Sequence, residues 1–310
     1  MIEAELGETT LTFDDNRFGS IVLGHYDQNI ARIERRLNIS ANTNGNRITL
    51  KGPQDACQSA KRILENLYAR AKAGQHISMG DVDGAIEESA LQGTLFPSAI
   101  EQERGQFEQI GTRKKGPVRA RNSAQDQYIR ALKKNELVFA QGPAGTGKTW
   151  LAVGHAVALL EQGVVEKIIL SRPAVEAGEN LGFLPGDMKE KLDPYMQPLY
   201  DALRDMIPPQ TLEDYLLKGI IQIAPLAFMR GRTLDNAFVI LDEAQNTTHS
   251  QMKMFLTRMG KNAKFIITGD PGQVDLPRRT ISGLKEALLV LKDIEGIGII
   301  YLDDKDIVRH

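Results

Sequence analysis

From residue 123 onward, short apolar runs alternate with stretches of helical spacing. The runs are Leu137–Ala140, Ile168–Leu170, Ile220–Ala224, Phe238–Leu241, Phe265–Thr268 and Ile299–Leu302. They are rich in Ile and Val and show little polar alternation, as expected of strands buried on both faces of a parallel sheet. Residues 1–74 carry a different pattern. Thr10 to Phe13 reads as a strand, Arg17 to Leu23 as a short helix, and Asp27 to Leu37 as a helix with Ile30, Ile33 and Leu37 on one face. Asn38–Thr43 and Arg47–Lys51 read as two strands joined at Asn44-Gly45, a hairpin signal, and Gly52-Pro53 ends the second. A helix then runs to about Ala73, with Ala56, Ala60, Ile63, Leu64 and Leu67 at helical spacing. The expected order is strand, helix, helix, strand, strand, helix.

Residues 75–122 read as a charged connector. Asp81 to Glu108 holds seven acids and one base, Arg104. The charge then reverses: Arg113, Lys114, Lys115, Arg119 and Arg121 fall within nine residues without an acid. This strip is either solvated linker or a contact for nucleic-acid phosphates. The chain has 310 residues, 42% hydrophobic and 25% charged, with net charge −2, ordinary values for globular domains and not those of a wholesale basic nucleic-acid binder. No apolar run is long enough to span a membrane. The acidic Met1–Glu8 lacks a signal-peptide pattern, so a cytoplasmic location is expected. A single cysteine, Cys57, excludes an internal disulfide and a Cys-rich metal site.

Chemistry enters after the Leu137–Ala140 run. Residues 142–149 read Gly-Pro-Ala-Gly-Thr-Gly-Lys-Thr, matching GxxxxGK[ST] at every fixed position between a strand and a helix. Glycines let backbone N–H groups converge on phosphate oxygens, and the helix N-terminus adds its dipole. The expected nucleotide contacts are therefore Gly142, Pro143, Ala144, Gly145, Thr146, Gly147, Lys148 and Thr149. Lys148 reaches the β- and γ-phosphates, and the Thr149 hydroxyl binds Mg²⁺. Phe238–Leu241 delivers Asp242 and Glu243 at a strand end. Asp242 is expected to hold Mg²⁺, through water, and Glu243 to orient the attacking water.

Asp242-Glu243-Ala244-Gln245 resembles motif II of helicases, and Gly269-Asp270-Pro271-Gly272-Gln273 resembles motif III of superfamily 1. Gln245 and Gln273 are placed to sense the γ-phosphate or its water. Asn122-Ser123-Ala124-Gln125 resembles the Q motif, which implies that Gln125 selects adenine and hence ATP. Ser171-Arg172-Pro173 stands where helicase motif Ia touches a nucleic-acid backbone; Arg172 is open to that role or to a structural one. Superfamily 1 helicases complete the ATP site with an arginine from a second RecA-like domain, and too few residues follow Gln273 for one. An arginine finger is worth roughly 10³–10⁵ in rate. A neighbouring subunit is the natural donor, with Arg230, Arg232, Arg278, Arg279 and Arg309 as candidates. A ring-like homo-oligomer, a hexamer for instance, follows as an expectation.

Together these segments resemble the PhoH family of P-loop ATPases, of the phosphate-starvation-inducible type. The likeness spans essentially the whole chain and includes Ser171-Arg-Pro-Ala-Val-Glu-Ala-Gly-Glu, Leu181-Gly-Phe-Leu-Pro-Gly-Asp, Leu241-Asp-Glu-Ala-Gln-Asn and the Asp306-Ile-Val-Arg-His tail. It implies an α/β fold: a RecA-like P-loop NTPase domain over 123–310, its sheet mainly parallel, preceded by a small α+β KH-like module. It also implies an ATPase with ATP and Mg²⁺ as cofactors, a link to RNA, and partnership with a YbeY-type endoribonuclease. KH domains clamp RNA with a GxxG loop. Here that loop reads Gly24-His25-Tyr26-Asp27, and the acid would repel phosphate. Packing or partner contact therefore stands beside RNA binding as the module's role.

The leading expectation is an ATP hydrolase, in effect a helicase-like enzyme, that couples turnover to RNA binding or remodelling. The alternative is an ATP-gated RNA-binding adaptor that recruits an endoribonuclease and turns over little. A P-loop kinase is disfavoured, because a kinase gains nothing from the water-orienting Glu243.

Overall fold

The computed structural model describes residues 6–93, 107–112, 114, 116–173, 188–277 and 280–307. The chain divides into two compact units, Met1–Phe107 with Arg119–Ser123, and Glu108–Val118 with Ala124–His310.

The first unit contains β1 (Leu6–Thr12), α1 (Asn16–Leu23), α2 (Gln28–Leu37), β2 (Ser40–Asn44), β3 (Arg47–Pro53), α3 (Gln54–Lys72) and α4 (Met79–Gly93). Its sheet has the order β1-β3-β2, with both pairs antiparallel. The sequence predicts the hairpin turn at Asn44-Gly45, but Asn44 pairs with Arg47, so the two-residue turn is Gly45-Asn46. Gly45 has φ 62° in open space, a positive φ that a glycine adopts without strain. Asn46 then ties the turn to the end of β1, donating from Nδ2 to the Phe13 carbonyl (2.9 Å) while its own carbonyl accepts from the Phe13 N–H (2.8 Å).

The long helix α3 buries Cys57, Ala60, Ile63, Leu64, Leu67 and Ala71 in one core with Ile48 and Leu50 of β3. Helix α4 lies within the stretch expected as connector, and its Val82, Ala85 and Ile86 join this same core. Its acids are paired: Asp81 with Arg70 (2.7 Å) and Asp83 with Arg32 (2.8 Å), so charge that reads as solvated linker instead clamps α4 to α3 and α2.

Next along the chain come a two-stranded sheet, β4 (Gln109–Thr112) and β5 (Gly116–Arg119), then α5 (Ser123–Lys134) and β6 (Leu137–Gln141). The rest of the second unit is α6 (Lys148–Glu161), β7 (Lys167–Arg172), α7 (Met188–Met206), α8 (Pro209–Leu217), β8 (Ile221–Pro225), β9 (Ala237–Leu241), α9 (His249–Leu256), β10 (Lys264–Gly269), α10 (Gly283–Leu291) and β11 (Ile297–Tyr301). Every one of the six predicted apolar runs is a strand. They form a single sheet, order β11-β6-β10-β9-β7-β8, with parallel pairing throughout. β9 is buried at all five positions. Phe265, Ile266 and Ile267 of β10 are also buried, as strands covered on both faces must be.

This order places β6 between β10 and β11, and β9 between β10 and β7. Ligands bind at the carboxyl ends of strands in such open sheets. The loop after β6 and the residues ending β7, β9 and β10 thus share one edge. Among the described residues, no helix is long and apolar enough to cross a membrane.

Candidate nucleotide site

The loop after β6 is shaped by three glycines. Gly142 has φ 149°, its N–H donates to the Gly269 carbonyl (3.1 Å), and a Cβ there would stand 2.2 Å from the Leu302 carbonyl oxygen. No side chain fits between those two strand ends. Gly145 and Gly147 have φ 88° and 86°, in the left-handed region. Pro143 and Ala144 form the outer bend, with Ala144 exposed at its tip. Thr146 points inward and donates from Oγ1 to the Pro143 carbonyl (3.0 Å). Helix α6 starts at Lys148, so its unpaired first-turn N–H groups face the space this loop encloses.

The Lys148 ammonium donates to the Gly142 and Pro143 carbonyls at 2.6 and 2.7 Å. Burial pushes its pKa down, while Asp242, Asp270 and Glu243 pull it up. Gln125 of α5 is buried and donates from Nε2 to the Thr146 carbonyl (3.0 Å), bracing the loop from behind. The residue expected at adenine thus holds the phosphate loop by one end of its amide.

Asp242 follows β9 and is 3% exposed. Its Oδ1 accepts from the hydroxyls of Thr149 (2.7 Å) and Thr268 (2.6 Å). Its Oδ2 accepts from Arg172 Nε (2.9 Å) and Nη2 (2.5 Å). Register explains the convergence. Ile267 lies opposite Leu241, and Ser171 opposite Leu241 on the other side. The residues that follow, Thr268, Asp242 and Arg172, therefore stand in one row at the carboxyl ends of three adjacent strands. Sequence reasoning marked Asp242 but missed Thr268 as its partner. A threonine directly before the Gly-Asp of the neighbouring strand is the signal, and it becomes readable only once strand order is known. Arg172, read as open to a nucleic-acid contact, is turned inward.

Glu243 has φ 54° and ψ 36°, a left-handed conformation, and its side chain is 47% exposed. Gln245 donates from Nε2 to Glu243 Oε2 (2.6 Å) and accepts at Oε1 from the Asp270 N–H (3.0 Å). Gln245 thereby joins the two acid-bearing loops, and a Cβ at Gly269 would stand 2.7 Å from Gln245 Oε1, so a larger residue there would push that amide aside. Gln273 is exposed, and its Nε2 donates to Asp270 Oδ2 (2.7 Å). It reaches the cluster through Asp270.

The structure thus brings together Lys148, Thr149, Arg172, Asp242, Glu243, Gln245, Thr268 and Asp270. Arg230 and Arg232 follow β8, the outermost strand, away from β6. Arg232 donates to Gln222 Oε1 (2.8 Å), and Arg230 is exposed. Arg278, Arg279 and Arg309 lie outside the described residues, as do 174–187 of the quoted motifs. The donor set suits a small hard cation: one carboxylate and one threonine hydroxyl at 2.7 Å, with a guanidinium already standing as the cation on that carboxylate.

Comparison with known proteins identifies the family. The family model described as "PhoH-like protein" matches residues 117–310. A PhoH-like protein of Bacillus subtilis (strain 168) is 51% identical over 292 residues, covering 93% of this chain and 89% of that protein. A PhoH-like protein of Mycobacterium tuberculosis (strain ATCC 25618 / H37Rv) is 44% identical over 93% of this chain and 81% of its own length. Protein PhoH of Escherichia coli (strain K12) is 47% identical over 66% of this chain and 60% of its own length. Among solved structures, the Pif1 helicase from Candida albicans aligns with 59% of this chain and 39% of its own, at a TM-score of 0.32 and 13% identity, too slight a likeness to inform function. The family model over residues 117–310 and relatives 51% and 44% identical over 93% of the chain make it a member of the PhoH family of P-loop NTPases.

Proposed function

We propose that this chain binds ATP with Mg²⁺ and hydrolyses it, coupling turnover to RNA binding or remodelling. The observation that carries the reading is the row Thr149–Asp242–Thr268 beside a half-exposed Glu243, at the mouth of the phosphate loop. On nucleotide entry, the loop amides and the α6 N-terminus take the phosphates, and Lys148 trades carbonyl oxygens for phosphate oxygens. Thr149 and Asp242 would hold Mg²⁺, which when bound would neutralise charge on the phosphates. Glu243 accepts a hydrogen bond from the attacking water and orients it, and Gln245 holds Glu243 in place. Gln125 serves adenine next to the loop it braces. Gln273 reports through Asp270 on the state of that loop.

A neighbouring copy in a ring completes the site with an arginine; Arg230, exposed at the sheet edge, is the candidate among the described residues. The strand–helix–helix–strand–strand–helix order and the β1-β3-β2 sheet of the first unit support a KH-like RNA or partner module, with a YbeY-type endoribonuclease as an expected partner. ATPase rates with and without single-stranded RNA, for wild type, Lys148→Ala and Glu243→Gln, test the reading. RNA-stimulated turnover that both variants lose supports it. ATP-dependent RNA binding with negligible turnover would instead support the adaptor.

A further inference from the structure

Arg172 ends β7, and its guanidinium is anchored at both ends. Nε and Nη2 lie on Asp242 Oδ2, and Nη1 donates to the Tyr195 carbonyl of α7 (2.8 Å). Both side chains are nearly buried, Arg172 at 12% and Asp242 at 4% exposure. A carboxylate has about four acceptor positions, and all four of Asp242 are filled: two by hydroxyls at Oδ1, two by Arg172 at Oδ2.

We propose that Arg172 is a positioning residue that acts as resident counter-ion of the magnesium acid, yields Asp242 when Mg²⁺ arrives with nucleotide, and passes that displacement to α7 through Tyr195. This rests on reading Asp242 as the acid that receives Mg²⁺. A buried carboxylate left without a cation is heavily penalised. The planar guanidinium fork satisfies Oδ2 without water. Mg²⁺ keeps most of its waters and an octahedral shell, and those waters need the lone pairs that Arg172 now fills. Metal and arginine therefore compete for one oxygen. Glu243 Oε1, 3.9 Å from Nη2, is the next carboxylate within reach of the displaced guanidinium.

The structure supplies its own reporter. Trp150, the single tryptophan, sits beside Thr149 on α6 and donates to Asp205 Oδ2 of α7 (3.1 Å). Mn²⁺ is titrated into the full chain with saturating ADP and followed by electron paramagnetic resonance and Trp150 emission, for wild type, Arg172→Gln and Asp242→Asn. Arg172→Gln should bind Mn²⁺ about tenfold or more tightly than wild type, the scale of one charge-assisted hydrogen bond. The metal-induced Trp150 change should shrink in that variant. Equal or weaker Mn²⁺ binding, or an unaltered Trp150 response, overturns the proposal while leaving the magnesium reading intact. Asp242→Asn binding Mn²⁺ as wild type does would instead sink the magnesium reading itself. Should Arg172→Gln fail to fold, Arg172→Lys, which keeps the charge but loses the fork, must show intermediate Mn²⁺ affinity, and wild-type affinity there overturns the proposal.

Discussion

Glu243 holds a backbone conformation that non-glycine residues adopt rarely and at some strain. Its hydrogen bond from Gln245 restrains its side chain. Gln245→Ala should lower kcat for ATP about 10–100-fold while KM stays within about threefold, because the lost contact positions a group and does not bind substrate. Steady-state kinetics checks this, and a rise in KM at constant kcat would move Gln245 to the binding side. Gly142→Ala is expected to be more severe, since its methyl would meet the Leu302 carbonyl. Nucleotide binding should be lost and stability should fall by about 1–3 kcal/mol, the range for overpacked positions, in a fluorescent-nucleotide titration and a thermal melt. Most of this chemistry was legible as sequence, because Lys148, Thr149, Asp242 and Glu243 occur in contiguous motifs. Thr268 and the inward Arg172 were not, because their partnership with Asp242 depends on which strands are neighbours and in what register.

Strands and helices differ in how plainly the chain announces them. The six strands of the large sheet were readable because burial on both faces demands uninterrupted apolar residues. Helix α4 was hidden because its acids answer arginines distant in sequence, Arg32 and Arg70. The hairpin turn slid by one residue because its pairing is set by Asn44 with Arg47, and the dipeptide alone does not fix it. The buried strands also set a stability scale. Phe238→Ala in β9 should cost about 3–5 kcal/mol in urea unfolding, as large-to-small changes in closed cores do. Leu217→Ser at the end of α8, where the side chain is 88% exposed, should stay within about 0.5 kcal/mol of wild type.

Across the whole molecule, acid tolerance has an identifiable contributor in the second unit. His155 of α6 is buried, edge-on to Phe238 with ring centroids 5.7 Å apart. Burial, with the Lys264 ammonium adding, pushes its pKa down to about 4. An unfolded histidine titrates near 6.5, so as pH falls the unfolded chain takes up the proton first. The stability held by neutral His155 is therefore complete above about pH 6.5 and is lost progressively toward pH 4, about 2 kcal/mol of it by pH 5. Denaturant unfolding at pH 7.5 and 5 should show a steeper loss for wild type than for His155→Leu; parallel losses would remove His155 from the account. The far end of the chain carries a different consequence. Leu302 hydrogen-bonds to Gln141 (2.8 Å) and presses its carbonyl against Gly142. The segment after β11 therefore walls the start of the phosphate loop through a single residue. Leu302→Pro, which removes the N–H given to Gln141, should weaken binding in a fluorescent-nucleotide titration, so a residue of the last strand's exit is a determinant of the nucleotide loop.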